Sequence, residues 1–343
     1  MSRNSTMDLT TGHPLKQLLF FSLPLVAGTL FQQFYSFADT VMVGRFLGES
    51  ALAAVGTTYS LHFLTLGFVL GACAGFVIPL AQAVGAKDRD EFRRYFWNSV
   101  WLCCLLGVAF TALTYAFAVP MLRLIHTPEE ILPQAASYIR IIFLGIPASI
   151  LYNFCAGALR AAGDSRRPTL FLLVSSLLNI VLDYLLLAVF PLGVVGAALA
   201  TVASQLVSGL LNLYWLAFKT DLLQSCAGLR GFSRRHAAAL FRVGLPMGFE
   251  YSVSAIGAVL LQSAINALGT AAIAGQTRAI RSARCSPCHG ERGHGHGHLC
   301  RQNHGAHRTD RIKQGIKDGC TIQLTYCVAA WVVIFFIKPY AVG

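Results

Sequence analysis

The feature that most constrains this chain is a series of apolar stretches, each long enough to cross a bilayer. They lie at residues 17–38, 51–83, 95–120, 135–158, 169–190, 192–218, 240–275 and 319–337. A membrane helix needs about 20 such residues, and the longer runs leave room for tilt. Only 12% of the residues are charged and 55% are hydrophobic, whereas soluble domains carry about 25% charged residues. A soluble globule could not hide that much apolar surface, so an all-α polytopic membrane protein is expected, not an enzyme. Pro24, Pro120, Pro147 and Pro246 fall in or at the ends of the runs. Neighbouring helices satisfy the carbonyls that such breaks free.

The loops carry their charge on alternate sides. Lys87, Arg89, Arg93 and Arg94 follow the second span, and Arg160, Arg166 and Arg167 follow the fourth. Lys219, Arg230, Arg234, Arg235 and Arg242 follow the sixth, whereas the intervening loops hold only Arg45 and Arg123. Positive loops stay in the cytoplasm, which predicts a multi-pass protein of the plasma (inner) membrane with a cytoplasmic N-terminus. The same rule accounts for the net charge of +12, so no nucleic-acid partner is implied. Cys73, Cys103, Cys104, Cys155 and Cys327 lie in apolar runs and are expected to pack as small hydrophobes.

An internal repeat sets the domain plan. Ser22-Leu23-Pro24 returns as Gly244-Leu245-Pro246, and Leu47-Gly48 as Leu268-Gly269. Gln82, Gly85, Ala86 and Asp90 return as Gln302, Gly305, Ala306 and Asp310. The offset holds near 220 residues, and an even number of spans separates the copies. Both copies then share one orientation, as in transporters built from parallel repeats. The expected layout is a cytoplasmic segment at 1–16, a six-helix bundle at 17–218, a cytoplasmic linker at 219–239 and a partial second bundle at 240–343.

One segment breaks the repeat. Residues 57–82 form a span, but their counterpart 277–302 reads TRAIRSARCSPCHGERGHGHGHLCRQ, which could not cross a bilayer. It offers Cys285 and Cys288 before His289, in a haem-attachment spacing, and His294, His296, His298 and Cys300 as metal ligands. Ligands at every second residue do not match structural zinc sites. Read one base later, the His-Gly repeat encodes a sequence compatible with Met-Ala-Met-Ala, an ordinary span ending. Residues 278–301 are therefore taken as a frameshifted eighth span, with no metal site.

Charges inside spans default to function. Asp39 shares a helix face with Gln32 and Tyr35, and Asp183 with Asn179, one turn apart. Ser175 and Ser176 extend the second face, while Thr201, Ser204, Gln205 and Ser208 form a third stripe. Together they predict a polar cavity in the first bundle. Its carboxylates can take H+ or Na+, with amide oxygens of Asn179 and Asn153 completing a cation site; hydrogen bonding between helices is the alternative use of such groups. Glu250 is a third intramembrane acid, and Asp164 is expected to serve its own basic loop.

With FADTVMVGRFLGESALAAVG in the first hairpin, RAAGDSRRP after the fourth span and N-x-x-x-D in the fifth, the chain resembles the multidrug and toxic compound extrusion (MATE) family. The resemblance implies a MATE-like fold of two six-helix bundles, here with the second bundle incomplete. It implies a monomeric secondary antiporter that exports small amphipathic or cationic compounds by alternating access, without a cofactor. Asp39, Asp183, Asn179 and Asn153 would hold the coupling ion H+ or Na+, and Gln32, Tyr35 and Thr201 would line the cargo cavity. Glu250 would match a second-bundle acid. Lacking a normal eighth span and the tenth to twelfth, the chain as written is expected not to transport. The alternatives are a lipid-linked oligosaccharide flippase of the same superfamily, an inactive fragment, and a metal-binding membrane protein using the His/Cys-rich segment.

Overall fold

The computed structural model describes residues 7–223, 231–268 and 288–321, together with 273, 324, 325 and 328. No strand occurs among these residues. The helices are α1 (Pro14–Gly85), α2 (Arg89–Leu124), α3 (Leu132–Leu144), α4 (Ile146–Ala161) and α5 (Arg166–Tyr184). They continue as α6 (Val194–Tyr214), α7 (Arg234–Asn266) and α8 (Cys288–Gly305), followed by a helical stretch over 309–321. Five of the helices are long and apolar enough to span a membrane, and a sixth span arises if α3 and α4 count as one.

α1 holds two expected spans. Its 72 residues are interrupted at Gly48, where φ is 84°, a left-handed value that costs little without a Cβ. The chain folds back there: Gln302 accepts a hydrogen bond from the backbone of Leu9, while its own backbone lies against Gly85. The two ends of α1 are thus at one end of the bundle. Asp88 restarts the chain by accepting bonds from the N–H groups of Asp90 and Glu91 at 3.1 and 2.9 Å, an N-cap that satisfies orphan donors of α2.

The expected span 135–158 is split. α3 and α4 meet at Gly145 with a bend of 44°, because Pro147 in the first turn of α4 cannot donate back across the junction. α7 starts at Arg234, inside the stretch expected as a linker, since a helix may run past the bilayer once its polar turns reach water. Ser233 anchors that start by donating its N–H to Asn98 Oδ1 at 2.8 Å. α5 and α6 each end in a π-helical turn, Leu185–Val189 and Trp215–Lys219.

The core is formed chiefly by α1 to α4, with Phe76, Phe92, Phe96, Phe143 and Ile139 fully buried. The outward faces are also apolar: Leu105 and Val108 of α2 are 61% and 71% exposed. Buried polar and exposed apolar side chains on one helix suit a lipid solvent, not water. The halves meet along α1 and α7, where Gly75 passes so close to Gly244 that a Cβ would lie 2.5 Å from the Gly244 Cα. Small residues at such crossings let membrane helices approach closely.

α8 is a helix where the sequence suggested a segment unable to cross. Its C-terminal part packs on α1: Leu299 joins Leu9, Leu18, Phe21 and Leu25, and the His298 ring lies 5.7 Å from that of Phe21. Residues 278–287, including Cys285, lie outside the described residues, as does most of the expected span 319–337.

Candidate functional site

α1 and α5 run side by side from the same end. Opposite Gly28 of α1 stands Thr169 of α5, whose methyl would lie 3.1 Å from a Cβ at residue 28. About 16 Å further along both helices come Asp39 on one and Asn179 on the other, with Asp183 one turn beyond Asn179. All three are buried, at 8%, 1% and 0% exposure. The Asp39 and Asp183 carboxyl groups are near enough to interact electrostatically.

A cavity of about 530 Å³ extends from this acidic level toward the basic end of the bundle. Asp39, Asn179, Asn153, Gln32, Tyr35 and Thr201 line it. Asp183 sits behind the wall, one turn beyond Asn179. Glu250 stands apart, on an exposed face of α7, although its neighbour Tyr251 reaches the cavity.

Hydrogen bonding divides these groups into two kinds. The hydroxyls of Ser175 and Ser176 both donate to Leu172 O of their own helix, at 3.0 and 2.8 Å, and Thr201 donates to Ala197 O at 3.0 Å. Such back-bonds satisfy a hydroxyl locally. Ser149 donates across to Gln205 Oε1 and so ties α4 to α6. Neither amide atom of Asn179 nor either oxygen of Asp183 has a hydrogen-bond partner among the described residues. Asn153 donates its amide N–H to Ser149 O at 2.8 Å, which leaves its carbonyl oxygen, the atom a cation needs. A buried carboxylate with amide oxygens beside it can bind a proton or a small hard cation. No three His, Cys, Asp or Glu side chains converge as a metal site among the described residues. The side chains of His294 and His296 lie outside them.

The lining also includes basic groups that the sequence reading did not assign to it. Arg160 was expected in a cytoplasmic loop but occupies the last turn of α4 and faces the cavity, with its Nε buried. His62, His298 and Arg301 line it as well. Only Arg160 carried a usable signal, since it precedes the helix end at Ala162 by a half turn. Asp164 does serve its loop: it accepts the Arg167 N–H at 3.2 Å and the guanidinium at 2.6 Å.

Membrane-length helices walled around a polar cavity, with buried acids at its far end, define an integral membrane protein with the architecture of a transporter. Residues 24–185 match the family model MatE. The chain is 30% identical over 328 residues to Probable multidrug resistance protein YoeA of Bacillus subtilis, covering 93% of this chain and 70% of that one. It is 32% identical over 268 residues to Probable multidrug resistance protein YpnP of the same organism, and there it spans 78% of this chain but 60% of the relative. A solved MOP superfamily transporter from Pyrococcus furiosus superposes with a TM-score of 0.88 at 27% identity, covering 98% of this chain and 75% of the other. The chain belongs to the MATE family of multidrug transporters.

Proposed function

We propose that the full-length protein works as a secondary antiporter, exporting small amphipathic or cationic compounds in exchange for H+ or Na+ by alternating access. Asp39 and Asp183, with Asn179 and Asn153, hold the coupling ion, while Gln32, Tyr35 and Thr201 meet the cargo from the cavity side. The positive loops orient it in the plasma membrane with its N-terminus in the cytoplasm, where it acts as a monomer.

The observation that carries this reading is Asp183. A fully buried carboxyl group without a hydrogen-bond partner among the described residues is costly in a bilayer and marks an ion pathway. An oligosaccharide flippase with a basic cavity has no use for it. Arg160 and Arg301 do line the other end, so the cavity is bipolar, with its acids farthest from the basic loops.

The test is binding of ethidium to the purified chain, followed by fluorescence at rising Na+ and at falling pH. One of the two ions should displace ethidium from the native protein, and Asp183→Asn should abolish that competition while retaining a folded monomer. Unchanged competition in Asp183→Asn would remove the carboxylate from the ion site.

A further inference from the structure

The segment ahead of α1 does not hang free. Residues 7–12 lie across the basic end of the molecule as a strap bonded to both halves. On the first-bundle side, Met7 donates its N–H to Gly163 O at 3.0 Å. On the other side the bonds come from α8 and the helical stretch after it. Asn303 donates to Leu9 O at 3.0 Å, Arg308 to Thr10 O at 2.9 Å, and Arg311 to Thr11 O at 3.2 Å and to Gly12 O. Arg311 is itself held by Asn303 Oδ1 at 3.2 Å and Gln17 Oε1 at 3.1 Å.

Gln302 is the keystone of this arrangement. Its Oε1 accepts from the Leu9 N–H at 3.2 Å, and its Nε2 donates to Ala161 O, the end of α4, at 2.6 Å. One side chain therefore joins strap, α4 and α8. Leu9 drives an apolar anchor between them, 1% exposed among Leu18, Phe21, Leu25 and Leu299. The strap lies at the end of the bundle where Arg160, Pro168, His298 and Arg301 line the cavity.

We propose that residues 7–12 form a latch on the cytoplasmic mouth: they hold α4 and α8 together while the cavity is closed on that side and must be released before it can open there. The two sets of bonds cannot both survive separation of the halves, since Gln302 grips Ala161 and Leu9 directly. The bonds are of a kind that can be released. Most run from amide and guanidinium side chains to backbone carbonyls of a partly exposed segment, and water can replace them. The α1–α7 seam meets instead through tight glycine crossings, and other polar bonds between the halves tie α7 and its N-cap to α2 and its C-cap, at Ser233, His236 and Asn266.

The inference takes its meaning from the alternating-access reading, but its test needs no transport. Hydrogen–deuterium exchange by mass spectrometry would compare the full native chain in nanodiscs with Arg311→Ala. Exchange should rise at least tenfold in residues 7–12 and also in the helix ends 82–88 and 159–164, with 124–131 and 190–198 unchanged. Arg311→Lys, which keeps the charge but offers a single donor nitrogen in place of three, should fall between. A rise confined to 7–12 would overturn the latch, because the strap would then be held without holding anything. A rise spread equally over 124–131 and 190–198 would also overturn it, since the strap would be an ordinary determinant of folding. Loss of ion competition at Asp183 bears on the antiport reading alone, so the two ideas can fail separately.

Discussion

Gly85 and Gly305 occupy reciprocal positions where the two repeats cross: the Cβ that each lacks would run into the backbone carbonyl of the other copy's glutamine, Gln302 for Gly85 and Gln82 for Gly305. The helix ends beyond them match bond for bond. Ala86 N donates to Gln82 O at 2.9 Å and Ala306 N to Gln302 O at 3.0 Å. Asp88 N reaches Ala83 O at 3.0 Å and Arg308 N reaches Asn303 O at 2.9 Å. Lys87 and His307 follow in the left-handed region, with φ of 59° and 56°, as in a Schellman cap. A sequence offset near 220 is thus a local two-fold relation in space.

That relation predicts equal damage from either side. Gly85→Ala and Gly305→Ala should each destabilise the protein by about 1–3 kcal/mol, the range for overpacking where nothing can give. The obstacle here is backbone, so the upper part of the range applies. Thermal unfolding in detergent reads it, and a harmless Gly305→Ala would mean that the halves do not meet there.

Asp183 leads to a prediction of the opposite sign. Removing a buried, unpartnered charge relieves a desolvation cost that a neutral amide of the same shape bears only in part. Asp183→Asn should therefore unfold at a temperature no lower than the native chain, even as ion competition is lost. Sites tuned for binding commonly trade stability in this way. A marked fall in melting temperature would show that the carboxylate is structural.

Much of this was legible in the sequence, and the residues show why. Gln32, Tyr35 and Asp39 on one helix, and Asn179 and Asp183 on another, could be grouped because helical spacing fixes a shared face before any packing is known. Pairing Asp39 with Asp183 required two separate helices, and only the polar stripes suggested that they met. Arg160 was misplaced because a charge near a span end reads as loop, while a long side chain can turn back along its helix. Pro147 marked a break in its span, but the 44° bend at Gly145 was not legible, because the apolar run continues through it. The strap was invisible, since Leu9, Asn303 and Arg311 make no pattern until the chain brings them together.

Arg167 neutralises Asp164, which is only 1% exposed in its side chain, and its guanidinium also stacks 4.2 Å over the Trp215 ring. Arg167→Ala would leave an uncompensated buried charge, a change that costs about 3–5 kcal/mol. Adding Asp164→Asn should recover much of the loss. A double variant as unstable as the single one would place the cost in the Trp215 stacking instead.

Asp8 lies in the strap, outside the membrane. Burial pushes its carboxyl group up, but the Thr10 hydroxyl and N–H, with Lys87 and Arg308, outweigh this and hold it below its ordinary 3.8. A carboxylate lowered in the folded state contributes stability above its unfolded value and loses it as pH falls through the folded one. Protection of residues 7–12 from exchange should therefore be level from neutral pH down to about 4 and fall only below that. Asp8→Asn should remove the acid step; loss of protection between pH 7 and 5 would point to another group.

The His-rich stretch is predicted to bind no structural metal. A helix turns about 100° per residue, so positions 294, 296 and 298 of α8 fall at roughly 0°, 200° and 40° around its axis. Only 294 and 298 share a face, and His298 is buried against Phe21, so committing it to a metal would break up the apolar cluster around Leu9 and Leu299. A site with two ligands cannot supply the four that structural zinc takes. Adding zinc at tenfold excess, or stripping it with EDTA, should leave the melting temperature unchanged. Tight stoichiometric zinc that raised it and vanished in Cys285→Ser would overturn the frameshift reading of 278–301, because a reading-frame error has no reason to build a working ligand set.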